Sequence, residues 1–120
     1  MNKVILGRSG IDVSRVAFGT WQLGGDWGAT DEVAAIAAIR QAADLGINFF
    51  DTAQAYGFGA SETLLATALK GRPRDQFVIA TKGGLRPMPG GGIERDASPD
   101  WIRQGVESSL KALGTDYIDL

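Results

Sequence analysis

The chain has 120 residues, about one average domain, with a net charge of −2 and neither Cys nor His. Disulfides, thiolate nucleophiles, Cys/His zinc sites and Ser-His-Asp machinery are therefore excluded within it, and no metal is expected. Acid–base chemistry near neutral pH must fall to Asp, Glu, Lys or Tyr. A hydrophobic content of 44% and a charged content of 22% suit a soluble globular chain. Arg and Lys are scattered without a basic block, so no nucleic-acid partner is expected. No apolar run approaches the roughly 20 residues of a membrane span. Only Val4, Ile5 and Leu6 separate Lys3 from Gly7, so no signal peptide is expected, and without Cys the expected location is cytoplasmic.

The first expected element is a hairpin. Val4-Ile5-Leu6 and Ile11-Asp12-Val13 flank Gly7-Arg8-Ser9-Gly10, a short turn with Gly at both ends. A second apolar run, Val16-Ala17-Phe18, stops at Gly19-Thr20-Trp21, and a Gly-rich loop follows to Ala29. Thr30 is the expected N-cap of the first helix, with Asp31 and Glu32 in its first turn, where the helix dipole favours negative charge. Val33, Ile36, Ala37 and Ile39 set its apolar face, and Gly46 suits the left-handed residue after its end. Ile47-Asn48-Phe49-Phe50 then reads as a strand ending at Asp51.

The pattern recurs twice. Thr52 to Ala60 is a loop, Ser61 the expected cap, and Leu64, Leu65, Ala68 and Leu69 the buried face of a second helix closed by Gly71. Phe77-Val78-Ile79-Ala80 is a strand ending at Thr81-Lys82. The stretch from Gly83 to Ala97, with Gly90-Gly91-Gly92, reads as a flexible connector; no Gly-Lys-Ser/Thr follows, so it is not a P-loop. Ser98-Pro99 opens a third helix with Ile102, Val106, Leu110 and Leu113 on its face and Gly114 at its end. Tyr117-Ile118-Asp119-Leu120 is the expected start of a fourth strand.

The order hairpin, then β-α-β-α-β-α-β, argues for right-handed βαβ units and a parallel sheet. Periodicity leaves two α/β architectures open. One is part of a TIM barrel, whose eight units need about 250 residues; the other is an open doubly wound sheet. A chain that ends inside a strand favours the first. Both folds set their sites at the carboxyl ends of strands. Those ends carry Gly19-Thr20-Trp21, then Asp51 with Tyr56 beyond it, then Thr81-Lys82.

A carboxylate, a phenol and an ammonium on one rim form a chemical set. An ammonium favours a nearby phenolate, and a buried ammonium needs a carboxylate partner. Such a phenol can protonate a carbonyl oxygen while hydride reaches carbon. Plainer readings stand beside this one. Asp51 and Lys82 also suit a structural ion pair, and Tyr56 a loop aromatic. Trp21 and Trp27 suit a lid over the sheet end as well as a substrate wall, and Ser61-Glu62 is first of all a helix start.

Asp51-Thr52-Ala53-Gln54-Ala55-Tyr56-Gly57, followed by Gly59-Ala60-Ser61-Glu62-Thr63-Leu64-Leu65, resembles the signature of the aldo-keto reductase superfamily. Leu6-Gly7-Arg8-Ser9-Gly10, Phe18-Gly19-Thr20-Trp21, Ala80-Thr81-Lys82 and Asp116-Tyr117-Ile118-Asp119-Leu120 follow in that family's order. The resemblance covers essentially the whole chain and is nearest the bacterial-type branch that is also similar to potassium-channel β subunits. Ala66, where members often carry Gly, is a small departure inside a helix.

The resemblance implies that residues 1–120 are the N-terminal half, hairpin included, of one (β/α)8 TIM barrel. It implies NADP(H)-dependent reduction of a small aldehyde or ketone. Tyr56 would be the general acid, Lys82 the charge that assists it, and Asp51 the partner of Lys82. Gly19, Thr20, Trp21 and Asp51 would lie at the cofactor; Trp21, Trp27 and Tyr56 would face the substrate. The family's tetrad also has a His shortly after a run like Tyr117–Leu120, and the later half-barrel holds most of the cofactor. The 120 residues alone are therefore expected to be inactive. Two other functions stay open: a non-catalytic half-barrel that self-associates through open sheet edges, and a channel-β-like regulatory protein that binds cofactor.

Overall fold

A computed structural model describes all residues from Met1 to Leu120. Its first hairpin pairs β1 (Lys3–Ile5) antiparallel with β2 (Asp12–Ser14). The turn needs left-handed backbone at Gly7 (φ 56°) and Gly10 (φ 76°), and the Ser9 hydroxyl donates to the Leu6 carbonyl at 2.7 Å. Asn48 fastens the hairpin to the sheet. Its Oδ1 accepts the Ser14 N–H at 2.6 Å and its Nδ2 donates to the Asp12 carbonyl at 2.9 Å.

The central sheet is parallel, in the order β3 (Ala17–Gly19), β4 (Phe49–Asp51), β5 (Val78–Ala80). Register aligns Phe18 with Phe50 and Phe50 with Ile79; one residue on, Gly19, Asp51 and Ala80 share a rung. Phe50 is the centre of the core, with ring centroids 6.0 Å from Phe18 and 5.7 Å from Phe77. Ile39, Leu65 and Ala68 from the helices complete that layer.

The expected fourth strand does not form as regular strand. Residues 117–120 run beside β5, and the Leu120 carbonyl accepts the Thr81 N–H at 3.0 Å. A side chain takes the next place in the ladder: Asp119 Oδ2 accepts the Ile79 N–H at 2.9 Å and the Arg74 guanidinium at 2.6 Å. The Arg74 guanidinium also lies 4.1 Å from the centre of the Tyr117 ring.

Helix α1 spans Glu32–Asp44, and its cap is Asp31, not Thr30: the Asp31 carboxylate accepts the Ala34 N–H at 3.0 Å. It buries Ala35, Ile39 and Ala42, whereas Val33, expected inside, is 80% exposed, and Ala37 is exposed too. Helix α2 (Ala60–Leu69) starts from Gly59, with φ 105°, and has no side-chain cap. Ser61, the expected cap, lies inside the first turn and turns inward. The expected face of Leu64, Leu65, Ala68 and Leu69 is buried.

Helix α3 (Pro99–Leu113) is capped by Ser98 with Pro99 in its first turn and ends at Gly114, as expected. It buries Gly105, Ser109 and Leu113, while Ile102 and Val106 from the expected face are exposed. Both corrections have one cause. A periodic apolar stripe marks a face suited to burial, but residues 1–120 supply a cover only for the sides of α1 and α3 that turn toward α2 and the sheet.

The connector is also more ordered than expected. It forms a second hairpin, β6 (Leu85–Pro87) with β7 (Ile93–Arg95), whose glycine turn carries positive φ at Gly90, Gly91 and Gly92. The hairpin docks on α3 through Trp101, which donates from Nε1 to the Leu85 carbonyl at 3.1 Å and carries Arg86 5.4 Å above its ring. At its base the Ser98 hydroxyl and N–H, with Arg86 beyond them, hold the Asp96 carboxyl below its ordinary value. A lowered folded value means this support is complete above the ordinary carboxylate range and is lost as pH falls through the folded value.

Candidate active site

Three chain segments meet at the carboxyl ends of β3, β4 and β5. Asp51 ends β4, and the chain enters from β5 with Thr81 and Lys82. The Lys82 ammonium donates to Asp51 Oδ1 at 2.7 Å and to the Thr52 carbonyl at 2.9 Å. It lies 5.3 Å from the centroid of the Tyr56 ring. The two charged side chains remain 50% and 39% exposed, and an ion pair so open to water contributes little to folding. Its geometry therefore matters more for what it holds beside Tyr56 than for stability.

Trp21 opens a single 3-10 turn, Trp21–Gly24, directly after β3. Its ring stacks on Tyr56, with centroids 6.1 Å apart and planes at 21°. Trp27 meets Trp21 edge-on at 5.3 Å and 82°, and is itself 65% exposed. The rim is thus an aromatic wall beside a lysine–aspartate pair. Asp51, Tyr56, Lys82, Trp21 and Trp27 come together as expected from the sequence. Gly19 lies on the Asp51 rung, with open space where a Cβ would project.

Thr20 lies beneath the rim. It is 0% exposed. Its hydroxyl donates to the Asp51 carbonyl at 3.1 Å and accepts from Ser61 at 2.7 Å. Ser61 Oγ also lies 3.1 Å from the Thr52 hydroxyl. The three hydroxyls bind the end of β3, the end of β4 and the first turn of α2 into one buried cluster. The loop that carries Tyr56 runs between Thr52 and Ser61, so both of its ends are held. Replacing Ser61 by Ala leaves the Thr52 hydroxyl buried and unpartnered. The expected cost is about 1–3 kcal/mol, read as a lower urea midpoint at unchanged slope.

Sequence reasoning missed two further supports. Glu62 is 1% exposed and accepts the Thr81 hydroxyl at 2.7 Å, which ties α2 to the residue before Lys82. Gly24 and Gly57 let two stretches of main chain cross in contact. The Ser61-Glu62 pair at a helix start was the only local signal for the first. The second has none, because the approach joins residues far apart in the chain.

The Aldo/keto reductase family profile matches residues 15–120, and the chain belongs to that family. The aldo-keto reductase YhdN of Bacillus subtilis (strain 168) is 49% identical over 115 residues, covering 93% of this chain and 34% of that protein. The NADH-specific methylglyoxal reductase of Escherichia coli (strain K12) is 40% identical, covering 100% of this chain and 40% of that protein. The holo form of an aldo-keto reductase from Bacillus halodurans superposes with a TM-score of 0.87 at 40% identity, covering 98% of this chain and 38% of the other. The α/β class and parallel sheet expected from the sequence are those of this family's barrel. The chain spans well under half the length of these relatives. None of its helices is long and apolar enough to cross a membrane.

Proposed function

We propose that this rim is the proton-donating side of a carbonyl reductase, with Tyr56 as general acid and Lys82, held by Asp51, as the charge beside it. The observation that carries the reading is the convergence of the phenol ring, the ammonium and the carboxylate on one rim: the Lys82 ammonium sits 2.7 Å from Asp51 and 5.3 Å from the Tyr56 ring. Tyr56 donates its proton to a carbonyl oxygen; Lys82 and Asp51 keep the local charge fixed while it does so. Trp21 and Trp27 form the apolar wall that orients a small aldehyde or ketone and sheds water from it.

The donor set fits one end of a nicotinamide dinucleotide. Trp21 offers a half-exposed flat ring, Gly19 open space, and Asp51 a carboxylate on the same rung. When bound, such a cofactor supplies the hydride. NADPH is the cofactor the family resemblance leads one to expect. The name of the Escherichia coli relative makes NADH the necessary comparison and methylglyoxal a natural substrate to include. Groups for the pyrophosphate and adenosine would come from beyond residues 1–120.

The test joins residues 1–120 to the remainder of the Bacillus subtilis relative in place of its matching segment. NADPH and NADH oxidation is followed with 4-nitrobenzaldehyde and with methylglyoxal. Turnover in the fused protein, and none from the 120 residues alone, is the expected result. A folded fusion without turnover on either aldehyde removes the reading.

A further inference from the structure

We propose that Gly24 is a positioning residue for Tyr56: the turn after β3 seats on the main chain of the acid through Gly24, and that seat fixes where the phenol stands on the rim. The word acid rests on the reductase reading above; the geometry does not.

A Cβ built on Gly24 would stand 2.5 Å from the Tyr56 carbonyl carbon, 2.8 Å from its Cα and 2.9 Å from the Gly57 nitrogen. All three are backbone atoms, so no rotamer change relieves the contact. Gly24 is not among the residues with positive φ. Glycine is therefore required there by close approach and not by conformation. Gly57 meets the crossing from the other side. It has φ 71°, and a Cβ on it would strike the Gly24 carbonyl oxygen. The next residue, Phe58, is the one non-glycine with positive φ, at 45°. The main chain thus turns through two left-handed residues directly after Tyr56.

The ends of the Tyr56 loop are held separately by the Thr20, Thr52 and Ser61 hydroxyls. Its middle is held by Gly24 and by the Trp21 ring stacked on Tyr56. Trp21 and Gly24 belong to one turn, closed by the Leu23 N–H on the Thr20 carbonyl at 2.9 Å. The Trp21 ring and the Tyr56 main chain are therefore both set by this one turn. A methyl group at Gly24 must push them apart by about 1 Å, a displacement of the size that costs about a hundredfold in rate.

The chain has two tyrosines, Tyr56 and Tyr117, so the 120-residue protein labelled with 3-fluorotyrosine gives two fluorine resonances. Tyr56→Phe assigns them. In Gly24→Ala the Tyr56 resonance is expected to shift or split while that of Tyr117 stays. An unmoved Tyr56 resonance in folded Gly24→Ala overturns the proposal. Should Gly24→Ala lose both native resonances, Leu23→Ala decides. It loosens the turn, whose Leu23 packs on the core, and adds nothing to the crossing. A moved Tyr56 resonance supports the seat, and an unmoved one overturns it. In the fused protein, Gly24→Ala is expected to lower kcat about a hundredfold with little change in carbonyl KM. If the fusion carrying native Gly24 has no turnover, the reductase reading fails while the resonances still decide the positioning.

Discussion

Replacing Tyr56 by Phe in the fused protein is expected to lower kcat by about two to four orders of magnitude, the usual contribution of a placed general acid. The change removes one hydroxyl and keeps the ring. The stack on Trp21 at 6.1 Å and the Lys82 ammonium above the ring are therefore retained. KM for the aldehyde should change little, because the lost interaction acts on the oxygen as it gains charge and not on the bound ground state. The measurement is steady-state NAD(P)H oxidation, with near-ultraviolet circular dichroism to show that the aromatic stack persists. A Phe variant within tenfold of the parent would assign the proton to another group.

The second large effect is on folding. Phe50 is 0% exposed and has aromatic rings on two sides, Phe18 from β3 and Phe77 just before β5. Phe50→Ala removes the side chain that joins the sheet to α1 and α2, and a buried Phe→Ala change costs about 3–5 kcal/mol. Domains of this size have about 5–15 kcal/mol in total. Several apolar side chains here stay outside the core, among them Val33, Ile102 and Val106, so the lower part of that range applies. The variant is expected to lose its near-ultraviolet signal and its cooperative urea transition at room temperature. A cooperative transition displaced by less than about 1 kcal/mol would show that Phe50 is not the centre of the core.

The contrast between these two residues bears on how much could be read from the sequence. The βα order and the rim residues were legible because each follows a strong local pattern: an apolar run, a polar residue at its end, then a capped helix. Ser98-Pro99 and Gly114 were legible for the same reason, since capping chemistry is local. Val33 and Ala37 were misjudged because a stripe on α1 tells which residues are alike, not what covers them. The inward turn of the Thr20 side chain was not legible, because a strand-end position says a residue is near the rim but not which way its side chain points. The glycines of residues 90–92 suggested freedom, yet they supply the backbone that a tight hairpin needs. Ser61 looked like a cap because its position and type suit one. Its real partners, Thr20 and Thr52, come from other strand ends and leave no mark near it in the chain.

The parallel register also limits how such a chain can change in length. Phe50 belongs to the core and Asp51 to the rim, and they are consecutive residues on opposite faces of β4. One residue added or removed within that strand would exchange them, sending a carboxylate into the aromatic layer and a phenyl ring to the site. Insertions can be absorbed only outside the strands and the Trp21–Gly24 turn, as in residues 25–31, whose Trp27 meets Trp21 at the rim. The frame thus confines length variation to the segments that shape what the site admits, and leaves the spacing of its chemical groups unchanged.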